Sequence, residues 1–191
     1  QQQIQLVEDD VVGVGVHNLL LPEHILQQRC HALGRGEFPV RVTGTGMSGD
    51  ARHITAPQSD GQPLASAMRQ ALSGTDPETI GCVLGHGTGT LYNDSMEIAA
   101  IRSVLGDHTP LASVKANCGH TLGASGILQA VLALEVPRRK ELFPQAGLRN
   151  PERGAEGMVS AEIQPIRTQR ILSLNSGFGG INAALALEAL E

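Results

Sequence analysis

Aromatic residues are almost absent from this chain of 191 residues. They make up 2% of it, as 3 Phe, 1 Tyr and no Trp, whereas hydrophobic residues together reach 41%. The core must therefore be built from Val, Leu, Ile and Ala, which suits a parallel sheet covered by helices. The hydrophobic content also favours a globular fold over intrinsic disorder. The length fits one domain with a core of its own, or two small domains.

The chain also has few cysteines, few clustered basic residues and no long apolar stretch, and each of these features excludes a class of protein. The chain has 3 Cys and no C-x-x-C pair, which argues against a disulfide scaffold and indicates a reducing compartment. The net charge is −5, and the one compact basic cluster is residues 138–140, so no nucleic-acid partner is expected. The longest apolar stretch, residues 126–136, contains Gln129 and Glu135 and is too short to span a membrane.

The N-terminal sequence bears on the cellular compartment. Its first ten residues, QQQIQLVEDD, are polar and acidic, unlike a signal peptide. Together with the unpaired cysteines, this predicts a soluble, cytoplasmic protein. The abrupt opening also suggests a chain cut from a longer one.

Hydrophobic periodicity predicts strands that alternate with helices. The predicted strands are residues 3–8, 39–45, 80–84, 110–114, 170–175 and 182–189. The predicted helices include one opened by Pro22, one with the apolar stripe Leu64, Met68 and Leu72, and one after Asn93 that buries Ile98, Ile101 and Leu105. Residues 48–62 are predicted to form a polar loop. This alternation is typical of an α/β layer fold.

The strongest helix prediction covers residues 122–136. One face is lined by Ile127, Ala130, Val131 and Leu134, and Leu128 and Leu132 make the other side apolar as well. A helix that is apolar nearly all round is typically buried within a larger protein. Pro137 is predicted to stop it.

Three glycine-rich segments follow predicted strands or helix boundaries. They are GHGTGT at 85–90 followed by Asn93, Asp94 and Glu97; KANCGH at 115–120 followed by GASG at 123–126; and NSGFGGIN at 175–182. Ligands bind at strand ends in open α/β sheets, and glycines there let the backbone approach a substrate closely. The segments bring His86, His120 and Lys115, and a His pair beside a Lys can polarise a carbonyl or stabilise a developing anion.

Taken in order, these motifs resemble those of the β-ketoacyl synthases of fatty acid and polyketide synthesis. The matching patterns are HGTGT with N-D-x-x-E, then K-x-N-x-G-H-x-x-G-A-x-G, then N-S-G-F-G-G-x-N. Residues 44–57, GTGMSGDARHITAP, resemble the family segment that precedes them. The match runs from about Pro39 to Leu190. We therefore divide the chain into an N-terminal segment, 1–38, and a β-ketoacyl synthase C-terminal domain, 39–191.

The resemblance implies a fold and a set of residue roles. The fold is α/β, the C-terminal half of a thiolase-like layered sandwich, whose other half carries the nucleophilic Cys. His86 and His120 would hold the malonyl thioester carbonyl and stabilise the enolate formed as carbon dioxide leaves. Lys115 would orient His120 and pair with Glu97.

The third segment would supply a gate. By resemblance, Phe178 would separate the two half-reactions, and its N–H would form one arm of an oxyanion hole. Supporting roles fall to Asn182, Thr88 and Thr90, although Asn182 fits a purely structural hydrogen-bonding role equally well.

None of the three cysteines fits the role of nucleophile. Cys30 lies on a predicted helix face, Cys82 inside a predicted strand, and Cys118 at a variable position of its motif. The expected function is therefore that of a synthase half: in the intact enzyme an acyl thioester and malonyl carrier undergo decarboxylative Claisen condensation. The chain would supply the two histidines, the lysine and the gate, while the Cys comes from elsewhere.

Two other functions remain open. One is a non-catalytic subunit, similar to a chain-length factor or a module that binds acyl carriers, which would not need to keep all of His86, His120 and Lys115. The other is a thiolase acting on coenzyme A esters, which would carry a second Cys near the C-terminal glycine turn; residues 175–182 have none.

The same resemblance sets expectations for partners and cofactors. The substrates would be carried on the phosphopantetheine of an acyl carrier protein, so no cofactor is expected. The expected partners are that carrier and the N-terminal half of the synthase or a second subunit, in a homo- or heterodimer.

Two motifs could indicate a dinucleotide site or a metal site, but the spacing of their residues fits neither. Gly44-x-Gly46-x-x-Gly49 matches a dinucleotide fingerprint, but no helix follows directly and no acidic residue lies about twenty positions on. Cys118 and His120 lack a second ligand pair, so no metal site is expected. The remaining histidines are expected to be ordinary surface or core residues: His17, His24, His31, His53 and His108.

Overall fold

The computed structural model describes residues 40–50 and 57–190. The strand predicted at 3–8, the helix predicted from Pro22 and the predictions for Cys30, His17, His24, His31 and His53 lie outside the described residues. Along the chain the elements are β1 (Val40–Gly49), α1 (Gln62–Ala71), β2 (Cys82–Leu84), α2 (Leu91–Leu105), β3 (Leu111–Ala112), α3 (Lys115–Cys118), α4 (Ser125–Arg139), β4 (Glu141–Leu142), β5 (Gln164–Pro165), β6 (Arg170–Gly177) and β7 (Ile181–Ala189), with 3-10 turns at Pro77–Thr79 and Leu122–Ala124.

A mixed five-stranded sheet in the order β1-β7-β6-β2-β3 organises the fold. Strands β6, β2 and β3 are parallel, whereas β7 pairs antiparallel with both β6 and β1. The short strands β4 and β5 form a separate antiparallel pair. Strands β2 and β3 are buried apolar runs and β6 is buried over residues 171–174, as expected for a sheet covered on both faces.

Helices cover the two faces of this sheet and confirm the predicted α/β layering. On one face, α1 and α2 bury an aliphatic cluster that includes Leu64, Met68 and Ile101. On the other, α4 packs its Ala133 and Val136 against a second cluster. Alternate residues of each strand therefore enter different clusters, because successive side chains point to opposite faces.

Helix α4 differs from its prediction at both ends. It begins at Ser125, after the 3-10 turn, and runs through Pro137 to Arg139. The prediction that Pro137 stops the helix was wrong. A proline removes only its own N–H, and the helix continues until Lys140 takes a left-handed conformation and caps it.

The predicted polar loop at 48–62 is also shorter than expected. Strand β1 extends to Gly49, where it pairs with Ile181 of β7, and α1 already begins at Gln62. Pairing with a long neighbouring strand outweighs the polar local sequence of Ser48 and Gly49. In the part of the chain that the structure describes, no helix is both long and apolar enough to cross a membrane.

Two glycines of β1 allow α1 to lie directly against the strand. A Cβ built on Gly44 would overlap the carbonyl oxygen of Ala71, and one built on Gly46 would overlap that of Ala67. Close packing of backbone against backbone thus explains Gly44 and Gly46 of the glycine pattern that was not expected to bind a dinucleotide.

We predict that Gly46→Ala destabilises the protein by about 3 kcal/mol, since the added methyl must push α1 away from the sheet. The midpoint of urea unfolding measures the effect. Gly49→Ala is the matched control, because a Cβ there comes no closer than 4.0 Å to the Gly180 oxygen. Equal midpoints for the two variants would contradict the packing argument.

Candidate active site

The parallel strands place the first and second glycine segments at one edge of the sheet. His86 follows the end of β2 and Lys115 follows the end of β3. Carboxyl ends of neighbouring parallel strands meet at the same edge, so the residues after them converge. The third segment begins within β6, whose Ser173 pairs with Leu84 of β2.

A buried carboxylate fixes the turn that carries His86. Both oxygens of Glu97 accept backbone hydrogen bonds, Oε1 from the His86 N–H at 2.6 Å and Oε2 from the Gly87 N–H at 2.8 Å. Glu97 lies on α2 and is 4% exposed. The two hydrogen bonds anchor this turn, and they lower the pKa of the Glu97 carboxyl against the opposing effect of burial.

Lys115 connects to the same turn from α3. Its Nζ donates to the His86 carbonyl oxygen and lies 3.2 Å from the His86 Nδ1. The Ser113 hydroxyl donates to the carbonyl oxygens of His86 and Gly87, and itself accepts from the Lys115 N–H. The ammonium and the hydroxyl therefore bind the residues after β3 to the residues after β2.

These contacts differ from the roles that the sequence predicted for Lys115. Lys115 was expected to orient His120, whereas its side chain contacts His86. Among the ion pairs of the described residues, none joins Lys115 to Glu97. The Glu97 carboxylate still favours the charged form of Lys115, so the two groups interact at a distance longer than that of an ion pair.

His120 faces His86 across the edge of the sheet. The ring centroids are 6.0 Å apart and the rings are nearly perpendicular, at 86°. The Leu122 N–H donates to the His120 Nδ1 at 3.0 Å, so the neutral ring carries its hydrogen on Nε2. Leu122 holds φ at 52°, a left-handed conformation that is strained for this side chain and that orients the N–H.

Asn175 and Ser113 belong to this arrangement, although the sequence did not single them out. The Asn175 Oδ1 lies 3.4 Å from the His86 Nδ1. Asn175 opens the third glycine segment at the end of a predicted strand, and this position was the signal that could have identified it. Ser113 carries no such signal, because a lone Ser after a short strand is commonplace.

Four residues predicted to assist the histidines make no hydrogen bond to His86 or His120 among the described residues: Thr88, Thr90, Phe178 and Asn182. Phe178 stands at the tip of the β6–β7 hairpin and is 80% exposed. Asn182 is buried and accepts from the Ser176 hydroxyl at 2.7 Å, which closes that hairpin. The hydroxyls of Thr88 and Thr90 bond to each other at 2.8 Å.

Burial shifts the pKa values of His86, Glu97 and Lys115. Burial, together with the positive charge of Lys115, lowers the pKa of His86 to about 4. It also raises the pKa of Glu97 and lowers that of Lys115, whose charge the Glu97 carboxylate favours. His86 is therefore neutral at pH 7. The His86 Nδ1 lies 3.2 Å from the Lys115 Nζ, a donor, and 3.4 Å from the Asn175 Oδ1, an acceptor; the shorter contact to Nζ favours the tautomer with the ring hydrogen on Nε2.

A cavity of about 330 Å³ opens beside this cluster. Its wall includes Thr88, Asp94, Glu97, Ser113, Lys115 and His120. Within the described ranges, no group of three or more His, Cys, Asp or Glu residues is arranged to hold a metal ion.

The described cysteines differ in exposure. Cys82 is buried in β2, where desolvation raises the pKa of its thiol to about 12. Cys118 is exposed and its Sγ donates to the Val114 oxygen at 3.3 Å. His108 is also exposed and pairs with Asp107 at a distance of 3.0 Å.

Comparison with known proteins identifies the class of this fold and site. The model of the β-ketoacyl synthase C-terminal domain matches residues 40–149. A 3-oxoacyl-[acyl-carrier-protein] synthase 2 from Coxiella burnetii is 34% identical over 152 residues, which are 76% of this chain and 37% of that protein. The chain belongs to the β-ketoacyl synthase family and spans about two fifths of the length of the curated relatives it matches.

Solved structures agree with this assignment and with a thiolase-like fold. A β-ketoacyl synthase from Burkholderia phymatum superposes with a TM-score of 0.78 at 30% identity, covering 86% of this chain and 40% of that one. An acyl-carrier protein in complex with its type II polyketide ketosynthase gives a TM-score of 0.76 at 26% identity, covering 84% and 41%. The predicted family and fold class are confirmed.

We predict that Lys115→Met raises the pKa of His86 toward its ordinary value, because it removes the positive charge beside Nδ1. The pH titration of the His86 ring, followed by NMR, measures the shift. Lys140→Met, which removes an exposed charge beyond α4, should leave the titration unchanged. A His86 pKa that stays near 4 in Lys115→Met would show that the ammonium has no part in keeping the ring neutral.

Proposed function

We propose that this chain supplies the electrostatic half of a β-ketoacyl synthase active site. In the assembled enzyme, an acyl group resides on a Cys from another segment or subunit, and malonyl carrier loses carbon dioxide. The carbon–carbon bond to the carboxylate breaks and its electron pair remains as an enolate. The enolate carbon attacks the acyl thioester, expels the thiolate and yields a 3-oxoacyl product.

This proposal rests on two imidazole rings, those of His86 and His120, which lie close to each other at one edge of the sheet. Each ring has its Nδ1 engaged, on Lys115 for His86 and on the Leu122 N–H for His120. Each Nε2–H is therefore free to donate. Two donors aimed at one thioester oxygen stabilise negative charge that develops during decarboxylation, and fixed donors of this kind are a large contribution to catalysis.

Neutrality of His86 is part of the same argument. A neutral imidazole that holds its hydrogen on Nε2 donates a hydrogen bond without losing the proton to the enolate. The lowered pKa, about 4, keeps the ring in this form across the physiological range. Lys115 adds positive charge behind the ring, which favours the developing anion.

The remaining roles follow from position. Phe178, exposed at the hairpin tip, is suited to gate access from the acyl-enzyme side, and its N–H to form one arm of an oxyanion hole. Thr88 lines the cavity and its hydroxyl bonds to that of Thr90. These hydroxyls are suited to contact the phosphopantetheine arm of an acyl carrier protein, which carries the substrates without a further cofactor. Asn182 holds the hairpin in place. The reducing environment implied by free cysteines agrees with a cytoplasmic location.

The non-catalytic alternative makes a different prediction for this site. A subunit that only shapes a pocket has no need for a neutral His86 beside a buried ammonium. Buried polar clusters are costly to maintain without a role. The buried cluster of His86, Lys115 and Glu97 therefore supports the enzyme over a chain-length-factor-like subunit.

We predict that His120→Ala lowers malonyl decarboxylation and condensation at least ~100-fold, the usual size of losing a donor to a developing oxyanion. The assay follows release of carbon dioxide and 3-oxoacyl product from malonyl and acyl carriers, with the chain assembled with a nucleophile-bearing half. His108→Ala, at an exposed position, is the control. Full condensation by His120→Ala would refute the proposed role.

A nucleophile-bearing partner would also cover the outer face of α4. Leu122, Ile127 and Val131 are 73%, 39% and 51% exposed, and together they leave an apolar strip beside the site. Contiguous apolar surface of this kind is typical of protein interfaces. A dimer, with identical or different subunits, would bury it.

We predict that the lone chain self-associates or aggregates and that Ile127→Glu with Val131→Glu reduces this tendency. Sedimentation velocity and circular dichroism measure it. Ile163→Glu, at an exposed apolar residue distant in sequence from α4, is the control and should change nothing. A lone chain that is a stable, fully folded monomer would contradict the proposed partner.

A further inference from the structure

A fully buried glutamine on α4 is not used by the proposed reaction. Gln129 is 0% exposed, although the residues buried after it on the same helix, Ala133 and Val136, are apolar. Its Nε2 lies 3.0 Å from the Leu84 oxygen, 3.0 Å from the Gly85 oxygen and 3.1 Å from the Leu174 oxygen. Three main-chain carbonyls therefore converge on one side-chain amide group.

The three carbonyls lie where the pairing of β2 with β6 ends. The parallel ladder between β2 and β6 ends at the pair Leu84 and Ser173. The next residues along each strand lead to His86 and Asn175, whose side chains approach to 3.4 Å. Gln129 thus binds the two strands to each other at the place where their own pairing stops.

The amide nitrogen makes all of these contacts. The Oε1 atom is buried and has no hydrogen-bond partner among the described residues. Leaving a buried acceptor unpaired costs free energy, and an apolar side chain would avoid that cost. The donor group is therefore the feature of Gln129 that the local structure uses.

We propose that Gln129 is a positioning residue, whose amide holds the ends of β2 and β6 so that His86 and Asn175 keep their alignment. The inference rests on the proposed function, in which His86 must present its Nε2–H accurately. A displacement of a reacting group by about 1 Å can lower turnover ~100-fold. Loss of the amide should therefore reduce turnover more than substrate binding.

The test compares Gln129→Met with Val136→Ala, in the chain assembled with its nucleophile-bearing half. Gln129→Met fills a similar volume without donors. Val136→Ala removes buried packing on the same helix and touches none of the three carbonyls. We expect Gln129→Met to raise the His86 pKa, because a displaced ring loses part of the burial that lowers it, and to lower kcat ~10-fold or more with KM little changed. Val136→Ala should lower stability alone.

Gln129→Glu provides a second variant with the same shape. Its carboxylate would face three carbonyl oxygens, and this repulsion raises the carboxyl pKa in the folded protein. The loss of stability should be present above that pKa and shrink as the pH falls through it, because the protonated acid regains one donor. Unfolding midpoints measured from neutral to acidic pH reveal this trend against the wild type.

Two results would overturn the inference. One is a His86 titration in Gln129→Met identical to that of the wild type, with a stability loss matched by Val136→Ala. The other is a stability deficit of Gln129→Glu that does not change with pH. The NMR titration needs no turnover, so absence of condensation in every preparation would count against the proposed function and not against the role of Gln129.

Discussion

The carboxylate of Glu97 and the two backbone N–H groups that it binds determine where the site lies. The pair of hydrogen bonds fixes the turn of His86 and Gly87 directly after β2. The Lys115 ammonium donates to the His86 carbonyl and lies beside the ring of the same residue. The neutral form of His86 follows from the burial and the neighbouring charge that this arrangement produces.

Helix α4 links the site to the rest of the molecule in two ways. Its inner face carries Gln129 to the ends of two strands, and Ala133 and Val136 pack beneath them. Its outer face exposes Ile127 and Val131. The same element therefore aligns one half of the proposed site and presents an apolar surface to what would complete it.

Much of the fold was predictable because its elements have distinct local signals. The stripe of Leu64 and Met68 predicted α1, and the apolar runs at 80–84 and 170–175 correctly located β2 and β6. Boundaries were less accurate where long-range contacts override local preference. Strand β1 extends to Gly49 because β7 offers it partners, and α4 continues through Pro137.

The sequence by itself determined the family, the layered α/β class and the three segments that carry the histidines and the lysine, since motifs and periodicity are properties of neighbouring residues. Only the tertiary structure decided which groups touch. In the structure Lys115 contacts His86 instead of His120, and Asn175 lies beside the same ring. The Gln129 amide donates to three carbonyls. Such pairings join residues from 29 to 89 positions apart, and they depend on how strands align in the sheet, which no local pattern encodes.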